Sequence, residues 1–195
     1  IPIKKGESII FSAGTEPAKP RSLSTSFTKE ANARTPRTSF YNCLKNSAKQ
    51  CYLKEGKKDY LLAGYPWFKI LARDMFVALP GTTMAIDHRE DFEKIMSTAL
   101  DALMKYLDKG EVDKTIKDID IPDIPLWATW TILQYYKFYG ANDTIKNYGK
   151  ELVSIINHIL EGRVPNLYIN EEGLLSTNGT LKPVTWMDVE KQDGK

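Results

Sequence analysis

The sequence is short of cysteine, histidine, net charge and long hydrophobic runs, and each shortage narrows what the protein does. Lys and Arg number 27 against 25 Asp and Glu, a formal charge of +2. No long basic run and no basic stripe interleaved with aromatics is present to neutralise phosphates, so nucleic acid is not the expected partner. The longest apolar runs are a few residues, far short of the ~20 that span a bilayer, and Ile1 opens no signal-peptide pattern. The expectation is a soluble, cytoplasmic chain with no membrane partner. Because the first residue is Ile rather than Met, a removed leader or a longer parent stays open. The two histidines, His88 and His158, form no zinc spacing, and there is no glycine-rich phosphate loop, so neither metal nor cofactor is expected. Cys43 and Cys51 stand eight apart on what reads as one helix, about 12 Å of rise, too far for a disulfide. They read as core thiols, which suits a reducing compartment.

What is present suits a globular domain with an appended segment: 195 residues, 42% of them hydrophobic, enough to bury a sizeable core. The pattern changes near residue 35. Ser8 to Ser12 reads as an apolar edge strand bounded by Gly and Pro, and "AKPRSLSTSFTKEANARTPRTS" as a Pro/Ser/Thr/Arg-rich connector. Residues 1–35 therefore read as the end of a preceding β domain plus a linker, and residues 36–195 as a helical body. In that body Phe40, Cys43, Leu44, Ala48, Cys51 and Tyr52 recur at helical spacing. Met75 to Leu79 form a short helix stopped by Pro80-Gly81. Asp87 and Glu90 make a capping box before the apolar face Phe92, Ile95, Met96, Ala99, Leu103, Tyr106 and Leu107, which ends before Gly110. A helix from Pro125 to Tyr139 stops at Gly140, and another, carrying Tyr148, Leu152, Ile155, Ile156 and Ile159, ends at Gly162. Strand signals are confined to a hairpin in "PNLYINEEGLLSTNG". The fold class is all-α, in stacked helical hairpins.

The stretch "GYPWFKILARDMFVALPG" puts two large aromatics, a proline and the adjacent Arg73 and Asp74 directly before a short apolar run. The combination recurs: Trp67 with Asp74, Asp123 with Trp127, and Trp186 with Asp188 each join a carboxylate to an indole at a helix start. The three acids are 49 and 65 residues apart, roughly one long helical hairpin each. In a ring of antiparallel hairpins every second helix starts at the same end, so these groups converge. Indole faces stack on the apolar face of a sugar ring while carboxylate and guanidinium groups hold its hydroxyls. Plainer readings stand beside this one. Arg73 and Asp74 also fit a surface ion pair, and Asp123 fits the N-cap of the helix that Pro125 helps to start. Trp67 fits a hydrophobic staple. Trp127 and Trp130 lie three apart on one helix, so one of them packs in the core, and Trp127, nearer the helix start, is the candidate for the ligand. Glu171 and Glu172 are rival acids that read better as an exposed turn, and the sequon at Asn178 reads as a turn.

At "GYPWFKILARDMFVALPG", "DIPLW" and "VTWMDV" the chain resembles the amylo-α-1,6-glucosidase part of glycogen debranching enzymes, over roughly Phe40 to the C-terminus. It departs from the family pattern at Lys69-Ile70-Leu71, where the family more often has a small or polar loop. The resemblance implies an (α/α)6 toroid of six helical hairpins, of which this chain supplies the N-terminal half. It implies hydrolysis, with inversion, of glucose joined α-1,6 to glycogen or a limit dextrin. It also implies Asp188 as general acid, Arg73 and Asp74 on the hydroxyls of the non-reducing glucose, and Trp67, Trp127 and Trp186 lining the pocket; the pairing of indole and carboxylate adds Asp123 as a substrate-binding candidate. The family's catalytic base lies beyond Lys195, so the partners implied are glycogen or a branched α-glucan oligosaccharide and the remainder of a parent chain that completes the toroid. The alternatives are a non-catalytic α-glucan-binding helical domain, or another toroidal enzyme such as a glucoamylase, trehalase or disaccharide phosphorylase.

Asp188 also suits the chemistry on physical grounds. Inverting hydrolysis needs a protonated carboxyl on the leaving oxygen and a carboxylate about 6.5–9.5 Å away to activate water. A general acid that keeps its proton near neutral pH needs apolar surroundings, and Trp186 and Met187 supply them in sequence.

Overall fold

The computed structural model describes residues 2–14, 17, 19–178 and 183–187. The chain divides into two compact units, Ile1–Ser47 and Ala48–Lys195. In the first, a 3-10 turn over Pro20–Ser22 runs into α1 (Leu23–Ala33); α2 (Phe40–Gln50) begins seven residues later in the same unit, and its last three residues belong to the second. Ser8 to Ser12, expected as a strand, forms none: an apolar run without a neighbouring strand has nothing to pair its amides with, and Phe11 is exposed. The connector, expected to be irregular, carries α1. Between Pro20 and Pro36 it contains neither proline nor glycine, so nothing there forbids a helix. Asn46 Nδ2 donates to Thr35 O at 2.8 Å within this unit. No residue of α2 is buried, and Cys43, expected in the core, is exposed on it.

The second unit opens with a hairpin that the sequence reading does not contain. β1 (Tyr52–Glu55) pairs antiparallel with β2 (Lys58–Leu61), and Glu55 faces Lys58 across a two-residue turn begun by Gly56, whose φ is 60°. Such a turn needs left-handed backbone, which glycine adopts without steric cost. Three lysines in ten residues conceal the strands, because only Tyr60 and Leu61 are fully buried.

Next comes α3 (Ala72–Thr82), which buries Ala72, Met75, Phe76, Leu79 and Pro80. Pro80, expected to end this helix, lies inside it. A proline has no N–H for the carbonyl four residues back, which leaves Phe76 O without its helical donor. Thr131, fully buried, fills the gap: its hydroxyl lies 2.7 Å from Phe76 O. The same hydroxyl is 2.8 Å from Trp127 O, but that carbonyl already has the helical amide of residue 131 as donor. Thr131→Val keeps the shape and removes the hydroxyl. It is expected to lower stability by about 1–3 kcal/mol, read as a shifted urea midpoint, and an unshifted midpoint would mean that Phe76 O needs no partner.

α4 (Arg89–Lys109) buries Phe92, Ile95, Met96, Ala99 and Leu103 at the predicted spacing. It stops at Gly110, whose amide returns to Tyr106 O at 2.8 Å. The capping box of Asp87 and Glu90 does not form. Asp87 leaves the short 3-10 turn Met84–Ile86 with φ 64°, which moves the cap position to His88. There the imidazole Nδ1 meets Asp91 Oδ2 at 2.9 Å instead. α5 (Ile124–Leu160) is two helical arms joined at Gly140, the predicted break, where φ 82° and ψ 178° lie in a region open almost only to glycine. The second arm buries Tyr148 and Ile155 but leaves Ile156 exposed. β3 (Leu167–Ile169) and β4 (Leu175–Thr177) form the expected hairpin. Its turn carries Glu171 and Glu172, both exposed, and Asn170 Oδ1 accepts from the amides of Glu172 and Leu174. The described part is thus mostly helical: α3 lies against α4 and α5, with β2 on α4.

Arg89 holds the two arms of α5 to α4. Its guanidinium donates to Glu93 Oε1, to the Tyr135 hydroxyl and to Asp143 Oδ2, each at 2.7 Å, and lies 4.3 Å from the Tyr139 ring centroid. Tyr135 OH donates to Glu93 Oε1 at 2.6 Å and accepts from Asn147 Nδ2 at 2.9 Å. Burial, then the Glu93 hydrogen bond, pushes the Tyr135 phenol up to about 12, so it remains a donor. Burial raises Glu93, but the hydrogen bonds from Tyr135 and Arg89 outweigh it and leave the carboxyl below its ordinary value. This cluster has no signal in the sequence, since its members come from three separated stretches.

Candidate functional site

The segment before α5 is fastened by its isoleucines. Ile116, Ile119, Ile121 and Ile124 are buried, Asp113 Oδ1 accepts from the amides of Thr115 and Ile116 at 2.8 and 2.9 Å, and Lys117 exchanges backbone hydrogen bonds with Ile70 and Ala72 at the entry to α3. The loop therefore runs beside the first turn of α3 before it becomes helix. That path brings Asp123 to Arg73, 50 residues away in the chain. Arg73 Nε donates to Asp123 Oδ2 at 2.9 Å and Nη2 donates to Oδ1 at 3.2 Å. The two side chains are 15% and 11% exposed, so this is a largely buried fork.

Asp123 does hold the N-cap position of α5, yet its side chain makes no cap hydrogen bond. Its carboxylate goes elsewhere: Oδ2 also accepts from the indole Nε1 of Trp127 at 3.0 Å. Trp127 meets Trp130 edge to face, 5.7 Å between centroids at 82°, and both are half-buried. Asp123, Leu126 and Trp127 form one side of an open cavity of about 410 Å³, and Thr185, Trp186 and Met187 form the other. Trp186 is 67% exposed. Indole and thioether walls with a carboxylate beside them present both the apolar face and the acceptor that a pyranose ring requires.

The predicted residues divide accordingly. Asp123, Trp127 and Trp186 come together, with Arg73 bound to Asp123. Trp67 is 87% exposed, which rules out the staple, and it does not line this cavity. It sits on a loop closed at its base by Ala63 N to Lys69 O at 3.1 Å and Phe68 N to Gly64 O at 3.0 Å. Asp74 is exposed in the first turn of α3 and does not line the cavity either. Asp188 lies outside the described residues, as does part of the sequon that begins at Asn178. Leu126 and Thr185 also line the cavity; they lie inside "DIPLW" and "VTWMDV", where the tryptophans and acids draw attention first. Among the described residues no group of three His, Cys, Asp or Glu side chains is placed to hold a metal ion, and no helix is long and apolar enough to cross a membrane.

The family model described as GDE_C, amylo-alpha-1,6-glucosidase, matches residues 38–195. No curated protein and no solved structure matches the chain.

Proposed function

The chain belongs to the amylo-alpha-1,6-glucosidase family, and on that footing we propose that it serves the removal of α-1,6-linked glucose from branch points of glycogen or a limit dextrin, in the cytoplasm. The observation that carries this reading is the cavity. Two indoles from segments 59 residues apart in the chain face one space of about 410 Å³ beside a buried carboxylate. A glucose ring offers apolar C–H faces to Trp127 and Trp186, and equatorial hydroxyls to acceptors at the cavity edge. Asp188 is assigned as the general acid that protonates the leaving glycosidic oxygen, in an inverting reaction whose second carboxylate activates water. It follows Trp186 and Met187, both cavity-lining. Asp74 and Trp67 are assigned to the glucose as further contacts from the entry to α3. The helical body is taken as the N-terminal half of an (α/α)6 toroid that further chain completes.

The test is glucose release from a branched limit dextrin by the full-length protein, with linear maltooligosaccharides as the control and the anomer of the first product followed by NMR. Release of β-glucose from branched substrate alone supports the reading. Binding without release would turn it into a non-catalytic glucan-binding domain. Phosphate-dependent product would mark a phosphorylase, and turnover of trehalose a trehalase.

A further inference from the structure

We propose that Arg73 is a positioning residue: through Asp123 it fixes the plane of the Trp127 indole, the wall on which the sugar ring stacks. The proposal rests on the glucan reading of the cavity for its consequence, but its geometry stands on contacts already described. An aspartate at an N-cap ordinarily turns its carboxylate back to the amides of the first turn. In α5 one of those amides is missing, because Pro125 has no N–H, but the Leu126 amide remains within the turn and donates to the Asp123 backbone carbonyl at 3.1 Å, not to its carboxylate. The Asp123 side chain is diverted from it. Both its oxygens are engaged by the Arg73 fork, and that hold leaves Oδ2 aimed at the Trp127 indole N–H.

The indole is then restrained on two sides. One edge is tied to Oδ2, and Trp130 packs against it at 82°. An indole N–H has no acceptor capacity and a single donor direction, so the position of Oδ2 selects the ring orientation. Removing the guanidinium frees the carboxylate to cap the helix, and the indole loses its tether without losing any atom. A lysine cannot replace the fork, because an ammonium offers point charge without two parallel donors. Arg73 makes further contacts in the protein, and the mechanism is indifferent to them.

The experiment follows the indole ¹H–¹⁵N signals of the four tryptophans in the intact chain, with Trp127 assigned through Trp127→Phe. In Arg73→Gln the Trp127 signal is expected to shift and its N–H to exchange with solvent about tenfold faster, while the Trp67 signal stays. Affinity for a branched limit dextrin is expected to fall about tenfold, which corresponds to one decade in Kd. Arg73→Lys is expected to lie between wild type and Arg73→Gln on both readouts, and it carries the test if Arg73→Gln does not fold. A Trp127 signal unmoved in a folded Arg73 variant would overturn the proposal. Weaker dextrin binding with that signal unmoved would overturn it too, by making Arg73 a direct sugar contact. A moved signal in a protein whose wild type binds no dextrin supports the positioning role and removes the glucan reading instead.

Discussion

Asp188→Asn is expected to lower glucose release from a branched limit dextrin by about 10²–10⁴-fold, while dextrin affinity stays within about threefold of wild type. The amide has the size of the acid and keeps hydrogen-bonding capacity, but it has no proton to give a departing sugar oxygen. Affinity is retained because the groups proposed to hold the ring, Trp127 and Trp186, are left intact. A substrate whose leaving group needs no protonation sharpens the comparison. With α-glucosyl fluoride the variant is expected to lose far less than with dextrin, since fluoride departs without a general acid. A variant with full activity on dextrin would remove Asp188 from the chemistry, and equal losses on both substrates would assign it to binding.

Asp123→Ala is expected to destabilise the protein by about 3 kcal/mol, measured as the shift in urea unfolding, the lower end for breaking a largely buried ion pair from one side. The lower end applies because Arg73 has contacts beyond Asp123, so its guanidinium is not left wholly uncompensated. At 15% and 11% exposure both partners are shielded from the water that makes surface pairs worth little. The double replacement Arg73→Met with Asp123→Leu removes both charges and is expected to recover most of the loss, because desolvation of the pair offsets much of its attraction. A loss under 1 kcal/mol for the single variant, the range of exposed pairs, would show that the fork is open to solvent in solution.

Much of the helical body is legible in the sequence because its signals are local. Phe92, Ile95, Met96, Ala99 and Leu103 repeat at one helical face, and Gly110 and Gly140 stand where left-handed or otherwise glycine-only backbone ends a helix. The failures have long-range causes. Pro80 reads as a helix end only if nothing supplies the donor it lacks, and the hydroxyl that supplies it is 55 residues away at Thr131. Asp87 and Glu90 fit a capping box by spacing, yet a left-handed Asp87 moves the cap to His88. The β1–β2 hairpin hides because its lysines belong to exposed positions and its buried residues are two.

At the site the same division holds. Asp123 and Trp127 are four apart on one helix, so their contact follows from helical geometry. The partner of Arg73 does not, because sequence adjacency directs attention to Asp74 while the fork to Asp123 depends on how the isoleucine-rich loop packs. Trp67 stands out in the sequence as a large aromatic beside a proline, but its exposure depends on a loop whose backbone closes on itself.

The fork between α3 and α5 has a consequence for synthesis. Arg73 leaves the ribosome 50 residues ahead of Asp123, and all of α4 is made in between. Joining ends that far apart in an open chain opposes closure by on the order of 3 kcal/mol of lost freedom, and α4, built from near neighbours, forms on a faster schedule. The cavity wall is therefore among the last parts of the body to be assembled, and a nascent chain stalled before residue 123 has every residue of α3 and α4 but no place for a sugar.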